Sequence, residues 1–469
     1  TFTAKAPADI GLRYKSRNNT LSPVITDEGN YKVYKWAVKN LAPIENEPGS
    51  VSPRNKFPHV SIVTNQFSHY GYKGDLSSWK SFGNWINELA TGLDELPEEK
   101  QQFFQQLVKD APDETEKIKR IYDYLQQNFR YVSIQLGIGG LKPFAASFTD
   151  QKKYGDCKGL SNYMRAALKS VGIPSYVAVI NAEYNEEPVD PEFPSNDFNH
   201  MILCVPRVKD SIWLECTSST AEFGKLGTFT ENRLALLVTE NGGVLVPTPK
   251  SEAATNHFTT RTVVKIDSDL SAYAETAMIS KGSYSEMLNS VLKEKRDDQK
   301  EFLVSYMGFK QPDDFELNAN GSQQVDLKMT IRKVYEFNAG SKYFLNPRIN
   351  KIWSVKLPAA ENRKQDFYFR FPFERKDTTI LQLPPNLKPD VLPKETELKT
   401  EHTLYKAKTW FNEKENSIYT ATTLILKKHK IPAAEYSRFK SFFDDVLKDD
   451  AQRLVTQKTE NTNSEKKTF

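Results

Sequence analysis

From about residue 255 onward the chain repeats long runs in which apolar and polar residues alternate: "TTRTVVKID", "SAYAETAMIS", "VDLKMTIRKVYEF", "DFYFRFPF" and "SIYTATTLILKKHK". Successive side chains of a strand point to opposite faces, so a period of two specifies a sheet with one buried face. This half is therefore expected to be antiparallel sheet, interrupted by a helix at roughly 283–306 and followed by another at about 433–452. The 28 Phe and 21 Tyr, which suit a half-buried pleated surface, agree with a large β component. The polar segment 456–469 is expected to be a disordered tail.

The first sixty-odd residues also alternate, in shorter runs such as "YKVYKWAV" and "HVSIVTNQF", and the Pro- and Gly-bearing stretch "APIENEPGSVSPRNKFP" separates them. Residues 1–75 thus read as an N-terminal β-rich domain. Periodicity then switches to helical, with Trp79, Phe82, Ile86 and Leu89 on one face. In "APDETEKIKRIYDYLQQNF", Asp113 stands at the N-cap with Glu116 three residues on, an Asp-based version of the capping box. Ile118, Ile121, Tyr122, Leu125 and Phe129 follow at helical spacing. After Cys157, the residues Leu160, Tyr163, Met164, Ala167, Leu168 and Val171 form the apolar stripe of a further helix, ended by Gly172 and Pro174. Three short strands are expected next, "YVAVI", "HMILCV" and "SIWLEC", the first two separated by the acidic loop 183–197, which is expected to be a solvated excursion and could rim a site because it leads into His200. "ALLVTE" and "GVLVPT" meet at Asn241-Gly242-Gly243, a turn signal.

At 469 residues the chain is long enough for two to four domains. A net charge of +4 gives no electrostatic footprint for nucleic acid. No stretch approaches the roughly 18 apolar residues of a membrane span, and "TFTAKAPADI" has neither the basic nor the apolar region of a signal peptide. The chain opens at Thr1 in strand-like sequence, as expected of a processed or trimmed form. Three cysteines, Cys157, Cys204 and Cys216, are an odd set without paired spacing, so at least one is free in the monomer. Cys204 and Cys216 sit among Ile, Leu, Val and Trp and read as core. A metal site from His200, Cys204 and Cys216 lacks any close ligand pair such as CxxC, and no metal or cofactor is expected. "GIGG" at 137–140 has no Lys-Ser/Thr after it and reads as a turn rather than a phosphate cradle.

Cys157 is the residue with chemical promise. Gly155 permits a tight turn, Asp156 is a good cap, and the helix runs on from the cysteine, whose thiolate the helix N-terminus would favour. The Cys157 backbone N–H could donate to an oxyanion. Of six histidines, His59 and His69 lie in the N-terminal β region and His257, His402 and His429 lie in or at the edge of the C-terminal sheet half. His200 alone shares a compact segment with the cysteine. A hairpin through "PRVKD" brings Glu215 beside His200, where its carboxylate could hold one imidazole nitrogen and leave the other for Cys157.

A Gly-Asp-Cys turn opening a helix, a strand-borne His and a carboxylate about fifteen residues later resemble the transglutaminase-like superfamily of papain-like cysteine enzymes. "RYVSIQLGIGGLKPF", "YGDCKGLSNYMRAALKSVGI", "FNHMILCV" and "WLECTSS" are similar to a group found especially in Bacteroidetes, in which this core lies between two uncharacterised β domains. The resemblance implies an α+β fold, with a catalytic core of helices on a small antiparallel sheet over 76–250 and β-sandwich-like domains on either side, the last over 251–455. It implies Cys157 as nucleophile, His200 as base and Glu215 as third member, where most relatives carry Asp. It further implies a cysteine peptidase or amidase acting on a peptide or isopeptide bond, in a periplasmic, surface or secreted setting. Acyl transfer to an amine and an inactive surface-binding core are the alternatives. Gln135 and Tyr131 are both open as the second oxyanion donor.

Overall fold

The computed structural model describes residues 1–52, 56–183, 189–321 and 323–459. Contacts divide the chain into two compact units, Thr1–Lys250 and Ser251–Phe469. The fold is α+β in character, with helices and sheets segregated along the chain rather than alternating.

The first unit opens with strands β1 (Phe2–Pro7), β2 (Leu12–Arg17), β3 (Val24–Glu28) and β4 (Tyr31–Trp36), then β5 (His59–Thr64), β6 (Gln66–His69) and β7 (Tyr72–Asp75). They form a three-stranded sheet in the order β1-β4-β3, a β2–β5 pair and a β6–β7 hairpin. Helices α1 (Trp79–Ala90), α2 (Glu98–Leu107) and α3 (Glu114–Asn128) follow. Asp113 caps α3 as its spacing predicts, its Oδ1 accepting from the Glu116 N–H at 2.8 Å. A short β8 (Arg130–Tyr131) and helix α4 (Ala146–Lys152) lead to β9 (Tyr154–Gly155) and α5 (Cys157–Lys169). The chain then lays down β10 (Tyr176–Ile180), β11 (His200–Pro206), β12 (Ser211–Leu214), β13 (Leu234–Thr239) and β14 (Gly242–Pro247).

These last five strands make an antiparallel sheet in the order β12-β11-β10-β13-β14. Its strands are nearly continuous in apolar residues because both faces are covered. Val177, Val179, Met201, Leu203, Val205, Ile212 and Leu214 pack into the cluster that holds the helices, whereas Ala178, Ile180, Ile202, Cys204, Trp213 and Ala235 form a second cluster. Helix α5 is buried further round than a single stripe predicts. Every residue from Cys157 to Met164 is buried, including Lys158, Ser161 and Asn162. It is the central rod of the unit, and its polar residues answer backbone groups on both sides. Ser161 Oγ donates to the Met201 carbonyl, and Asn162 Nδ2 donates to those of Leu93 and Phe144.

The glycines at 242–243 do more than turn the chain. The two-residue loop is Glu240-Asn241, and Thr239 pairs with Gly242. Gly243 instead meets Gly83 of α1 backbone to backbone: a Cβ on Gly83 would lie 2.0 Å from the Gly243 nitrogen, and one on Gly243 would lie 2.3 Å from the Trp79 carbonyl oxygen.

In the second unit the alternating runs form an eight-stranded sheet. Its spatial order is Asp314–Asn320, Gln324–Ile331, Ala272–Ser280, His257–Ile266, Phe373–Gln382, Ser417–Leu426, Thr403–Asn412 and Thr396–Lys399. The sheet is not wholly antiparallel as expected. His257–Ile266 and Phe373–Gln382 pair in parallel, which the long excursion between them makes possible. The helix expected at 283–306 is two helices, Ser283–Val291 and Arg296–Glu301, followed by a π-type turn to Tyr306. The polar run Lys293-Glu294-Lys295 breaks the apolar spacing, and Gln299 Nε2 reaches back to the carbonyls of Val291 and Glu294, both at 3.2 Å. "DFYFRFPF" keeps its buried Phe367, Phe369, Phe371 and Phe373, but only Phe367–Tyr368 and the residues from Phe373 onward are strand, because Pro372 cannot donate to a ladder. The second helix, expected at 433–452, spans Ala433–Asp450. The segment expected to be a disordered tail begins as strand: Leu454–Lys458 joins a four-stranded sheet with Tyr335–Ala339, Lys342–Leu345 and Leu387–Val391, and Thr456 is fully buried. Residues 460–469 of that tail lie outside the described residues. No helix among the described residues is long and apolar enough to cross a membrane.

Replacing Gly243 with Ala drives a methyl group into the Trp79 carbonyl and is expected to destabilise the first unit by about 1–3 kcal/mol. A lowered midpoint for that unit in urea unfolding followed by Trp fluorescence checks this. An unchanged midpoint would show that α1 and the hairpin can separate freely.

Candidate active site

The turn before α5 is made by close packing rather than by a left-handed glycine. Gly155 has an ordinary φ, but a Cβ there would stand 3.3 Å from the Leu160 nitrogen, so the strand lies directly against the helix's first turn. Asp156 is the N-cap, with extended backbone angles of −82° and −173°. Its Oδ1 accepts from the Gly159 N–H at 2.9 Å, and its Oδ2 accepts from Lys158 Nζ at 2.5 Å. Both side chains are almost wholly buried. Cys157 stands between them as the first residue of the helix, 4% exposed.

The hairpin read from "PRVKD" is β11–β12, with Leu203 opposite Leu214 and Pro206 opposite Ser211. His200 opens β11 and Glu215 follows the last residue of β12, so the two side chains meet at the same end of the sheet. His200 Nε2 lies 3.1 Å from Glu215 Oε1 and 3.0 Å from Oε2. The carboxylate is 1% exposed and is itself held, since Thr217 Oγ1 donates to Oε1 at 2.5 Å and the Thr217 N–H at 3.2 Å. Tyr122 of α3 donates its hydroxyl to the Glu215 backbone carbonyl at 2.9 Å. The longer side chain of Glu is thus accommodated by an anchored carboxylate that spans Nε2 with both oxygens.

With Nε2 engaged by Glu215, Nδ1 is the ring nitrogen left for Cys157. The thiol and the imidazole interact, and both line one cavity of about 250 Å³. Burial pushes the imidazole down, but Cys157 and Glu215 push it up more strongly, and the net effect raises it to about 10. The other walls are Phe82 and Ile86 of α1, Gln135, Gly140 and Leu141 from the segment between β8 and α4, and Asn196, Phe198 and Asn199 just before β11. Phe229 stacks obliquely near His200, with ring centroids 5.8 Å apart.

Gln135 therefore reaches the cavity, whereas Tyr131 is 45% exposed and is not among its lining residues. "GIGG" forms one turn of 3-10 helix over Gly137–Gly140 whose end borders the cavity. Cys204 and Cys216 are buried and lie in different apolar clusters. Burial pushes the Cys204 thiol up to about 11 and raises Cys216 as well. The loop expected to be a solvated excursion is anchored instead, as far as it is described. Val189 and Phe193 are buried, Asp190 pairs with Lys15 and Arg17, and Trp79 Nε1 and Arg13 Nη2 donate to the carbonyls of Pro191 and Pro194, each at 2.9 Å. Its residues 184–188 lie outside the described residues. Phe82, Ile86, Phe198, Lys158 and Thr217 were not legible as site residues. Helical spacing marked Phe82 and Ile86 only as core, and a lysine beside the cysteine carried no sign of burial.

Residues 101–219, which include Cys157, His200 and Glu215, match the transglutaminase-like superfamily, and this part of the chain is a transglutaminase-like domain. Residues 341–456 match a domain of unknown function, DUF3858. A crystal structure from Parabacteroides distasonis, described as a putative protease, is similar over 97% of this chain and 71% of its own, with a TM-score of 0.62 and 14% identity. That likeness establishes a common fold. A structure from Cytophaga hutchinsonii, described as a putative cysteine protease, aligns over 52% of this chain and 70% of its own, with a TM-score of 0.23 and 15% identity. No curated protein matches the chain.

Because His200 is raised above its ordinary value of 6.5, its protonated form is favoured by folding. The stability this contributes is fully present below about pH 6.5 and is lost as the pH rises through about 10. Urea unfolding is expected to show wild type exceeding His200→Gln by the largest margin near pH 6, with the margin shrinking toward pH 10. A margin that grows with pH would contradict the Glu215 and Cys157 contacts.

Proposed function

We propose that the protein is a cysteine peptidase or amidase in which Cys157, His200 and Glu215 act as a triad. One observation carries this reading. An anchored, buried carboxylate takes one nitrogen of an imidazole that shares a cavity with a thiol at a helix N-terminus. In this reading the proton of the Cys157–His200 pair rests on the imidazole, as its raised value favours, and the Cys157 sulfur attacks the carbonyl carbon of an amide. The oxyanion that forms accepts from the Cys157 backbone N–H and from the Gln135 side chain. As the C–N bond breaks, the imidazolium returns the proton to the departing amine, leaving a thioester on Cys157. Water then attacks the thioester, with His200 taking its proton, and the carboxylic acid leaves as the thiol re-forms. Glu215 holds the imidazole in one orientation throughout, and Thr217 holds Glu215.

Phe82, Ile86, Leu141, Val179, Phe198 and Met201 give the cavity an apolar side, against which the charged interactions of the site are stronger than in water. The same thioester could be taken by an amine, so products decide between hydrolysis and acyl transfer.

Iodoacetamide at near-neutral pH, read by peptide mass spectrometry, is expected to alkylate Cys157 well ahead of Cys204 and Cys216. His200→Ala should slow the Cys157 rate at least tenfold. Slow labelling that ignores that change would overturn the triad. Against a peptide library, Glu215→Gln is expected to lower kcat by about 10³-fold or more and Gln135→Ala by about 10²-fold. Cys157→Ala should abolish turnover. Amide products that incorporate an added primary amine in preference to water would reassign the enzyme as an acyltransferase.

A further inference from the structure

The β6–β7 hairpin is fastened to two walls of the thiol cavity. At its base Phe67 lies across Gly74 of the opposite strand, where a Cβ would fall 2.2 Å from the ring, and it meets Trp85 of α1 in a T-shaped contact with ring centroids 4.8 Å apart. Helix α1 is the element that carries Phe82 and Ile86 into the cavity. At the hairpin's tip the Tyr70 ring lies over Gly137, the first residue of the 3-10 turn, with Cζ 3.5 Å from where a Cβ on that glycine would stand. Tyr72 adds a second strut, since Lys142 Nζ donates to its hydroxyl at 3.0 Å. The segment clasped in this way supplies Gln135, Gly140 and Leu141 to the cavity.

The tip is built against local preference. Tyr70 and Gly71 are the two loop residues between the paired His69 and Tyr72, and both have positive φ, 49° and 87°. Such a turn favours Asn-Gly or Gly-Gly, because a side chain in the left-handed region is crowded, and a bulky aromatic there is an outlier. Burial does not explain the ring. Tyr70 remains 69% exposed, packing edge-on against His69 with centroids 4.9 Å apart and over the bare backbone of Gly137. Beside Gly137, Leu136 is 86% exposed, and it directly follows the cavity residue Gln135. Two large side chains with apolar surface are thus held out in solvent next to the segment that leads into the cavity, one of them at a conformational cost.

We infer that Tyr70 and Leu136 form a docking shelf for an apolar or aromatic side chain of the polypeptide substrate, a few residues along the chain from the bond at Cys157. The face of the tyrosine ring offers a flat surface of the kind that packs against Phe, Tyr or Leu. The residues from Gln135 to Leu141 make the shelf continuous with the cavity, so an extended chain leaving the cavity on the Gln135 side meets it. As a device for selecting substrate the shelf rests on the peptidase reading; its affinity for an apolar side chain presented near Cys157 does not.

Alkylation of Cys157 by chloroacetyl peptides tests the shelf on the full chain without requiring turnover, because the sulfur displaces chloride and the thioether keeps the peptide. Peptides of Gly and Ser carry the chloroacetyl group at either end and a single Phe, or Ser in its place, at graded distances from it. At one or more spacings the Phe peptide is expected to react about fivefold faster or more than its Ser counterpart, each rate read by peptide mass spectrometry relative to that of iodoacetamide. This preference should vanish in Tyr70→Asn and in Leu136→Ser. Asn suits the left-handed position, so Tyr70→Asn is expected to keep or raise the urea unfolding midpoint while losing the preference. Leu136 is too exposed for its replacement to act through the core. Equal rates for Phe and Ser peptides at every spacing, or a preference that survives in both variants, would overturn the shelf. Failure of the peptidase reading gives a different result, namely iodoacetamide labelling indifferent to His200→Ala with the Phe preference and its dependence on Tyr70 intact.

Discussion

The Asp156 carboxylate is the point on which the geometry around Cys157 depends. A carboxylate buried to this degree is costly unless its oxygens are answered, and here one oxygen accepts from the Gly159 N–H in the first turn of α5 while the other takes Lys158. The two residues flanking Cys157 are thereby locked to each other around it. The cysteine backbone cannot drift without breaking a cap and exposing a buried charge. From that fixed start α5 runs through the middle of the unit, tied by Ser161 to the β11 residue adjacent to His200. The thiol and the imidazole are thus set by one short chain of contacts rather than by separate loops.

The sheet completes the arrangement because it is apolar on both faces. Strands covered on two sides have little freedom to slip, since a one-residue shift would exchange their two packed clusters. The β11–β12 register therefore delivers Glu215 to His200 without any dedicated loop. Thr217 and Tyr122 then fix the carboxylate from its own strand end and from α3. In this frame a Glu fills a position where the resemblance leads one to expect Asp.

Much of this was legible in the residues. Local signals fared well: Asp113 and Asp156 cap the helices their spacing announces, "YVAVI", "HMILCV" and "SIWLEC" are strands, and the hairpin that joins His200 to Glu215 follows from sequence distance alone. Signals that depend on distant partners were not readable. Lys158 looks like a solvent residue until Asp156 is seen buried with it, and Phe82 and Ile86 line the thiol cavity from a helix some seventy residues upstream. The parallel pairing in the second unit was hidden for the same reason, since alternation gives a strand its faces but not its neighbour. Pro372 and the Lys293–Lys295 run show the reverse case, in which a local interruption outweighed a longer pattern.

The meeting of Gly83 with Gly243 has a wider meaning for the cavity. Helix α1 carries Phe82 and Ile86 to the thiol, and its distance from the sheet is set by two residues that contribute no side chain at all. The contact is a spacer of zero thickness. Any thicker residue at either position would push the helix off the hairpin and move two of the cavity's walls. The bore of the site is thus set from the far side of α1, by residues that never touch what enters it.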